Sequence, residues 1–315
     1  MKPIFLIFIA IVLVTPYLGS GSFSKLISPL PEIISQPTLN NKPRTASASQ
    51  MITFIAGGDV MLGRSVNTRS IKNKDYTWAF KNIAQEFSSA DISLINLEAP
   101  FFSDCTPTDF GMIFCAPPEH LEGLKMAGID IANLANNHIR NRGQEGVDYT
   151  ISTLRQNNIT PIGFEPETKE MKGIKFGFLG FNAIDKIDES SLSLQIKELD
   201  DQVDILVATF HWGSEYSPKS DATQKRIAHL SVDSGADVII GHHPHWVQEK
   251  EIYLGKPIYY SLGNLIFDQA WSDKTQEGLV VKMFFSGKNY LTSQDLPVRI
   301  FDFGQPRFVN SVTLK

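Results

Sequence analysis

Cysteine is scarce in this sequence, which has only Cys105 and Cys115 among its 315 residues. Two thiols cannot build a four-sulfur zinc site, so any metal must be held mainly by nitrogen and oxygen ligands. No cysteine follows the apolar N-terminal segment, which excludes a lipoprotein anchor. The two cysteines lie close together in a loop-like segment, either as a disulfide or as two unrelated buried thiols. A disulfide would contribute about 2–3 kcal/mol in an oxidising compartment, and the leader described below favours it.

Positive charge is also in short supply. The chain has 29 Lys and Arg against 34 Asp and Glu, a net charge of -5 and a pI of about 5.8. Nothing in this balance favours a nucleic-acid partner or an anionic membrane surface. An anionic polymer or phosphoester substrate would need local positive charge, which a bound metal supplies.

Long hydrophobic runs are absent apart from one at the N-terminus. Residues 4–14 are apolar and follow Lys2, as in a signal peptide, and the run is shorter than the ~20 residues of a spanning helix. The small residues Gly19 and Gly21 suit a cleavage site, so cleavage and membrane anchoring both stay open. We expect residues 1–22 to be a signal peptide or anchor, 23–50 a disordered linker, and 51–315 the folded domain. The expected location is periplasmic or cell-surface.

Within the folded part, short apolar runs alternate with helical patterns, which predicts an α/β layered domain. One predicted helix covers 77–89, with Phe80, Ile83 and Phe87 on one face. A later helix is predicted from Pro218 to Ser234. Predicted strands include residues 51–56, 91–98, 129–134, 174–181, 203–210 and 238–240.

Polar residues repeatedly follow the carboxyl ends of these predicted strands. They are Asp59, Glu98, the pair Asn137-His138, His211, and the group His242, His243 and His245. Ligands bind at that edge of open α/β sheets, so we expect these side chains to meet there.

Three histidines within four positions are the strongest chemical signal. They are either metal ligands, the commonest use of neutral imidazole, or histidines that fill a turn. In an extended segment His243 and His245 would face one side, with Pro244 stiffening the backbone between them. The ligand set of Asp, Glu, Asn and His suits one or two divalent transition-metal ions, either Mn, Fe or Zn. Two such ions ~3.5–4 Å apart can activate water and stabilise a displacement at phosphorus.

Six motifs carry a family resemblance. They are Gly-Gly-Asp-Val-Met-Leu-Gly-Arg at 57–64, Asn-Leu-Glu-Ala-Pro at 96–100, Asn-Leu-Ala-Asn-Asn-His at 133–138, His-Trp-Gly-Ser-Glu-Tyr at 211–216, Gly-His-His-Pro-His-Trp at 241–246 and Tyr-Ser-Leu-Gly-Asn at 260–264. Over about residues 52–285 the chain resembles the CapA (PgsA) family of poly-γ-glutamate capsule biosynthesis proteins, which is similar to the calcineurin-like metallophosphoesterases. The resemblance implies a four-layer α/β sandwich, in which two mixed β-sheets are flanked by helices.

The resemblance also implies roles for individual residues. Asp59 would be a catalytic residue and the first metal ligand, and Glu98 would bridge two ions. Asn137 and His211 would bind the second metal, two of His242, His243 and His245 would close the site, and His138 would protonate a leaving group. Arg64, Asn136, Arg140 and Asn264 are candidates for substrate binding.

Each residue alone has a structural alternative. Asp59 could form a turn after two glycines, Asn136 and Asn137 could adopt left-handed turns, and Arg64 and Arg140 could be solvated loop residues.

Three positions depart from the phosphoesterase pattern or from the family. Met61 stands where the phosphoesterases have a histidine, Glu98 replaces an aspartate, and Asn141 replaces an aspartate that is frequent in the family. Two hypotheses therefore compete. The first is an exported metal-dependent hydrolase, and the second is a non-catalytic metal-binding component of a membrane complex for polymer synthesis and export.

Overall fold

The computed structural model describes residues 51–310. The predicted leader, 1–22, and the predicted linker, 23–50, lie outside these residues. None of the helices between residues 51 and 310 is both long and apolar enough to cross a membrane.

The described residues form fourteen strands and six α-helices. The strands are β1 Met51–Val60, β2 Ile92–Leu97, β3 Ile131–Asn133, β4 Thr160–Ile162, β5 Glu167–Met171, β6 Ile174–Ala183, β7 Ile205–Trp212, β8 Val238–His242, β9 Lys250–Tyr253, β10 Lys256–Tyr259, β11 Asn264–Ile266, β12 Glu277–Ser286, β13 Asn289–Phe301 and β14 Gln305–Phe308. The helices are α1 Arg64–Asn73, α2 Ala84–Ser88, α3 Leu121–Met126, α4 Gly143–Gln156, α5 Glu189–Asp200 and α6 Ala222–Asp233.

The strands form two mixed sheets. Sheet 1 has the order β14-β13-β12-β1-β2-β3-β4, with β11 also paired to β1. Its strands β1 to β4 are parallel, whereas β12 to β14 are antiparallel. Sheet 2 has the order β5-β6-β7-β8-β10-β9, with a parallel centre and antiparallel edge strands.

Three hydrophobic clusters hold these layers together. One lies between helices α1 to α4 and sheet 1, and it contains Val66, Leu124 and Val147. A second joins the two sheets, for example through Phe54 of sheet 1 and Phe178 of sheet 2. The third packs α5 and α6 against sheet 2. The order is therefore helices, sheet, sheet, helices, which confirms the predicted four-layer α/β sandwich.

The predicted helix over 77–89 is wrong over most of its length. Residues 76–83 form turns, and only α2 is α-helical. Phe80, Ile83 and Phe87 are nevertheless all buried as expected. Phe80 lies so close to Gly123 of α3 that a Cβ there would be 2.4 Å from its ring. Burial of these three side chains, rather than helical periodicity, fixes the local backbone.

Helix α6 begins at Ala222 rather than at Pro218, because Asp221 caps it. The Asp221 carboxylate accepts from the Gln224 backbone N–H at 2.8 Å, and the Gln224 side chain accepts from the Asp221 N–H at 3.0 Å. This reciprocal capping box satisfies two amides at the helix start that would otherwise lack partners.

Two glycines allow chain segments to approach closely near the carboxyl ends of the strands. A Cβ on Gly58 of β1 would lie 2.0 Å from the carbonyl oxygen of Gly263, and a Cβ on Gly241 of β8 would lie 2.0 Å from that of Tyr260. Only glycine fits at either position. The strand ends that carry the predicted site residues depend on these contacts.

Candidate metal centre

The carboxyl ends of parallel strands from both sheets meet at one place. Asp59 lies at the end of β1, and Glu98 directly follows β2 in the same sheet. His211 and His242 belong to the neighbouring strands β7 and β8 of sheet 2, where they are direct register partners. All four side chains are 0% exposed. The fold thus brings together residues that are up to 183 positions apart in the sequence, from Asp59 to His242.

A row of buried polar residues crosses sheet 1 at this edge. Asn264 pairs in register with Asp59, Asp59 with Asn96, and Asn96 with Asn133. The Asn96 amide donates to Asp59 Oδ1 at 2.8 Å, and its oxygen accepts from Asn133 at 3.0 Å and from Asn136 at 3.2 Å. Asn96, on β2, therefore connects the carboxyl ends of β1 and β3. Asn96 and Asn133 lie within the motifs at 96–100 and 133–138, which predicted no role for either residue.

Asp59 is held as a carboxylate by its neighbours. Besides Asn96, the His243 backbone N–H donates to Asp59 Oδ2 at 3.3 Å, and the Nδ1 atoms of His242 and His245 each lie 3.3 Å from one of its oxygens. Burial alone would raise its pKa, but the contacts with His242 and His245 outweigh burial and hold the pKa well below its usual range. This residue therefore keeps its negative charge.

Glu98 is in the opposite situation. His211 Nε2 lies 3.1 Å from Glu98 Oε1, but the contact lacks hydrogen-bond geometry, and neither carboxyl oxygen has a hydrogen-bond partner. Burial, followed by the negative charges of Asp59 and Glu215, raises the pKa of Glu98 well above its usual value. A fully buried carboxyl group without a partner is costly unless a cation compensates it.

The histidine group does not adopt the predicted extended backbone. His243 has φ 94° and His245 has φ 58°, both in the left-handed region that non-glycine residues rarely occupy. The expectation that an extended chain directs both rings to one side was therefore wrong. The bends around Pro244 nevertheless place the ring centroids of His243 and His245 6.0 Å apart. The ring centroid of His211 lies 4.8 Å from that of His243. Such backbone strain concentrates at functional sites.

The side chains at this edge fit a metal ion. Buried atoms without a hydrogen-bond partner include both carboxyl oxygens of Glu98, both ring nitrogens of His242 and Nδ1 of His243. Nδ1 of His242 has only its 3.3 Å ion-pair contact with Asp59. Three sets of three residues could each hold a metal ion, because the ligand atoms within a set lie within 4.8 Å of one another. The sets are Glu98, His211 and His243; Asp59, Glu98 and His245; and Glu215, His243 and His245. The donors are oxygen and nitrogen, as Mn, Fe or Zn requires, but they do not identify the metal. Glu215, within the motif at 211–216, was not predicted as a ligand.

Asn137 and His138 follow β3 and reach the same edge. Asn137 Oδ1 lies 3.0 Å from His211 Nε2. His138 is 6% exposed, and its Nδ1 lies 3.0 Å from the side-chain oxygen of Asn141. Burial is the main reason that the pKa of His138 is lowered. Asn141, where the family often has aspartate, thus contacts the histidine predicted to transfer a proton.

Two of the four predicted substrate-binding residues, Asn136 and Asn264, are buried and hydrogen-bonded within the protein. The Asn136 amide donates to the Leu97 carbonyl at 2.9 Å and accepts from two backbone amides, those of His138 and Ile139. Asn264 accepts from His245 Nδ1 at 2.9 Å and donates to the Thr275 carbonyl.

The two predicted substrate arginines differ in their surroundings. Arg64 pairs with Asp268, donates to the Gly111 carbonyl at 3.0 Å, and keeps a buried Nε without a partner. Arg140 is exposed and contacts Gln144 at 2.7 Å. Of the four predicted residues, Arg140 therefore offers the most accessible charge.

Two further positions from the sequence analysis have clear surroundings. Cys105 and Cys115 form a disulfide with a Cα–Cα distance of 5.6 Å. Met61 is fully buried in the cluster beneath sheet 1, and its sulfur accepts from the Gly63 N–H at 3.1 Å. Met61 is thus part of the core.

Comparisons with known proteins agree with the resemblance drawn from the motifs. The family model described as "Bacterial capsule synthesis protein PGA_cap" matches residues 53–269. The chain is 29% identical over 294 residues to the capsule biosynthesis protein CapA of Bacillus anthracis, covering 84% of this chain and 71% of the relative. It is 28% identical over 248 residues to the PGA biosynthesis protein CapA of Bacillus subtilis, covering 71% of this chain and 65% of that relative.

A solved structure shows the same fold at low sequence identity. A hypothetical protein from Thermus thermophilus superposes with a TM-score of 0.53 at 12% identity, covering 78% of this chain and 98% of that one. This likeness concerns the fold alone. The family match covers more than two thirds of the 315 residues, including every predicted metal ligand. The chain therefore belongs to the PGA_cap family of bacterial capsule synthesis proteins.

Proposed function

We propose that this protein is an exported enzyme of capsule or poly-γ-glutamate-type polymer biosynthesis, with a metal-dependent hydrolase site that acts on an anionic polymer or a phosphoester. The observation that carries the proposal is Glu98, a fully buried carboxyl group without a hydrogen-bond partner beside four other buried side chains that could hold a metal ion. Such a group is costly for folding alone and useful when a cation binds.

The residues of the centre divide into candidate metal ligands and residues that orient those ligands. Asp59, Glu98, His211, His243 and His245 would hold the ion or ions, with Asn137 and Glu215 at the open side. When bound, one or two divalent ions would polarise the scissile bond and activate water. Asn96 and Asn264 keep Asp59 and His245 oriented, because each donates to or accepts from one of these ligands.

His138 would move the proton. Its Nδ1 is engaged by Asn141, which leaves Nε2 as the nitrogen for proton transfer. Because burial lowers the pKa of His138, the neutral imidazole prevails at neutral pH. A role as proton donor then requires that His138 first take up a proton, for example the one released by the attacking water.

Export is part of the proposal. The apolar segment at 4–14 and the disulfide between Cys105 and Cys115 both suit an oxidising, extracytoplasmic compartment. Because the protein has a net charge of -5, nothing favours a nucleic-acid substrate, and an anionic polymer or phosphoester would depend on the positive charge of a bound metal at the site.

A second candidate function is non-catalytic. Met61 contributes no ligand at the position where phosphoesterases have a histidine, and it lies in the core instead. A centre with fewer ligands would still bind a metal and an anionic polymer within a membrane complex for synthesis and export.

One experiment separates the two functions. Residues 45–315 are purified, the metals per chain are counted by mass spectrometry, and phosphodiester and γ-glutamyl substrates are assayed. Hydrolysis that is lost on chelation and in Glu98→Gln supports the enzyme. Stoichiometric metal without turnover of either substrate class supports the binding component, and protein without metal contradicts both.

A further inference from the structure

Phe114 lies flat against the imidazole of His138. The two ring centroids are 3.9 Å apart with an interplanar angle of 23°, and Phe114 is only 2% exposed. This stacked contact covers one face of the histidine ring and limits its rotation.

The backbone of Phe114 also determines how His138 is held at its edge. The Phe114 N–H donates to the side-chain oxygen of Asn141 at 2.7 Å, and Nδ1 of His138 lies 3.0 Å from that same oxygen. A backbone N–H can only donate, so the Asn141 atom between the two residues is the oxygen and not the amide nitrogen. Nδ1 of His138 must then be the donor. The neutral imidazole is therefore fixed in the Nδ1–H tautomer, with its lone pair on Nε2.

Two covalent or charged contacts keep Phe114 in place. The adjacent residue, Cys115, is bonded to Cys105, which closes the loop that ends at Phe114. The guanidinium carbon of Arg64 lies 4.8 Å from the Phe114 ring centroid, and Arg64 also donates to the Gly111 carbonyl of the same loop at 3.0 Å. Phe267 packs edge-on against the Phe114 ring at 5.9 Å.

We infer that Phe114 is a positioning residue, which holds the His138 ring by stacking and fixes its Nδ1–H tautomer through Asn141, and that the Cys105–Cys115 disulfide maintains this arrangement. The consequence for proton transfer rests on the proposed function. The tautomer and the orientation of His138 do not, and they can be measured without any turnover.

The first test is nitrogen NMR of the full chain labelled with [¹⁵N]histidine, which reports the protonation of each ring nitrogen. The His138 signals, assigned with His138→Gln, should show a protonated Nδ1 in the wild type at neutral pH. Phe114→Leu removes the stacked ring but keeps the backbone N–H. The imidazole is then free to turn away from Asn141, so its signals should broaden or shift toward a mixture of tautomers. Phe114→Tyr, which preserves the stack, should restore the wild-type pattern. Phe110→Leu is the matched control, because Phe110 lies in the same loop but is 80% exposed.

The second test reduces the disulfide in the wild-type chain and compares it with Cys115→Ser. Both should shift the His138 signals toward a mixture of tautomers, and this result can be read even where Phe114→Leu does not fold. Where a substrate is turned over, Phe114→Leu should lower kcat about 2–10-fold with KM nearly unchanged, as expected for the loss of one stacked contact.

An unprotonated Nδ1 in the wild type would overturn the inference. Identical His138 signals in the wild type and Phe114→Leu would overturn the role of the ring, and identical signals after reduction would overturn the role of the disulfide. Absence of turnover would count against the proposed function but not against these spectra.

Discussion

His211 Nε2 lies 3.1 Å from Oε1 of Glu98, and both side chains are fully buried, yet Glu98 has no hydrogen-bond partner. Natural proteins satisfy the great majority of their buried polar groups. The Glu98 carboxyl group is therefore a cost to the metal-free fold that becomes a benefit when a cation is bound.

The first prediction concerns the stability of metal-free Glu98→Gln. The pKa of Glu98 is raised in the folded protein, so its folded form binds the proton more tightly than the unfolded form. The wild type therefore loses stability as pH rises above the ordinary value of 4.5 toward the folded pKa. Without this ionisation, Glu98→Gln should be more stable than the wild type by about 1–3 kcal/mol near pH ~8, with little difference near pH ~4.

Urea denaturation in the presence of a chelator measures this difference, and isothermal titration with Mn²⁺ or Zn²⁺ should show weaker binding by the variant. Higher stability of the wild type at every pH would contradict this account of Glu98.

The second prediction concerns metal content. Replacing both His243 and His245 by Ala removes a ligand from each of the three candidate groups. Metal per chain, measured by mass spectrometry after gel filtration, should fall to less than about half of the wild-type value. His229→Ala is the matched control, because His229 lies outside the centre and contacts Glu251 at 3.0 Å. Full metal occupancy in the double variant would rule out these coordination groups.

The third prediction concerns Asn96. Asn96→Ala removes one hydrogen bond each from the buried side chains of Asp59, Asn133 and Asn136, so the free energy of unfolding should fall by about 2–4 kcal/mol. Urea denaturation measures this loss. Asn289→Ala, at an exposed site on β13, should change stability by less than about 0.5 kcal/mol. Equal stabilities of the two variants would show that the polar row does not brace sheet 1.

The fourth prediction concerns proton transfer by His138. If the protein is a hydrolase, His138→Ala should lower kcat by about 10²–10⁴-fold for a substrate with a poor leaving group, while metal content stays nearly unchanged. A substrate with an acidic leaving group needs little protonation and should lose much less. Normal hydrolysis of the poor substrate by the variant would show that His138 does not transfer the proton.

The fifth prediction concerns processing and redox state. In cells that export the protein, mass spectrometry without reduction should find Cys105 and Cys115 in one cross-linked pair of peptides. N-terminal sequencing of the same sample distinguishes cleavage near Gly19 and Gly21 from a retained anchor. Free thiols at both positions in exported protein would contradict the disulfide.

The sequence predicted the layers and the edge of the sheets where the candidate ligands meet. That was feasible because strands such as β7 are mostly apolar and carry a polar residue, here His211, near the carboxyl end, so the hydrophobic pattern located Asp59, Glu98 and His211. Helix α1 was not predicted, because its buried face is mostly polar and includes Ser65, Asn67 and Ser70.

The internal connections of the centre could not be predicted in the same way. Asn96 gains its importance from partners on β1 and after β3, which are far away in sequence, and a single asparagine before Glu98 gives no sign of them. The left-handed backbone at His243 and His245 was also hidden, since any non-glycine residue adopts that conformation rarely and nothing in the sequence marks these two positions for it. Sequence patterns specify which strands end in polar residues, whereas tertiary contacts decide the geometry.

The close approach at Gly58 and Gly241 has a consequence for natural variation in this gene. A methyl group at either position would collide with a backbone carbonyl at 2.0 Å, although neither residue carries a functional group. Alanine at Gly58 would push the strand that bears Asp59 away from Gly263, and alanine at Gly241 would push the strand that bears His242 away from Tyr260. In either case the centre would lose its geometry with all its ligands present. Variants that disrupt the centre should therefore occur at two positions where an inspection limited to chemically reactive residues would record only a conservative change.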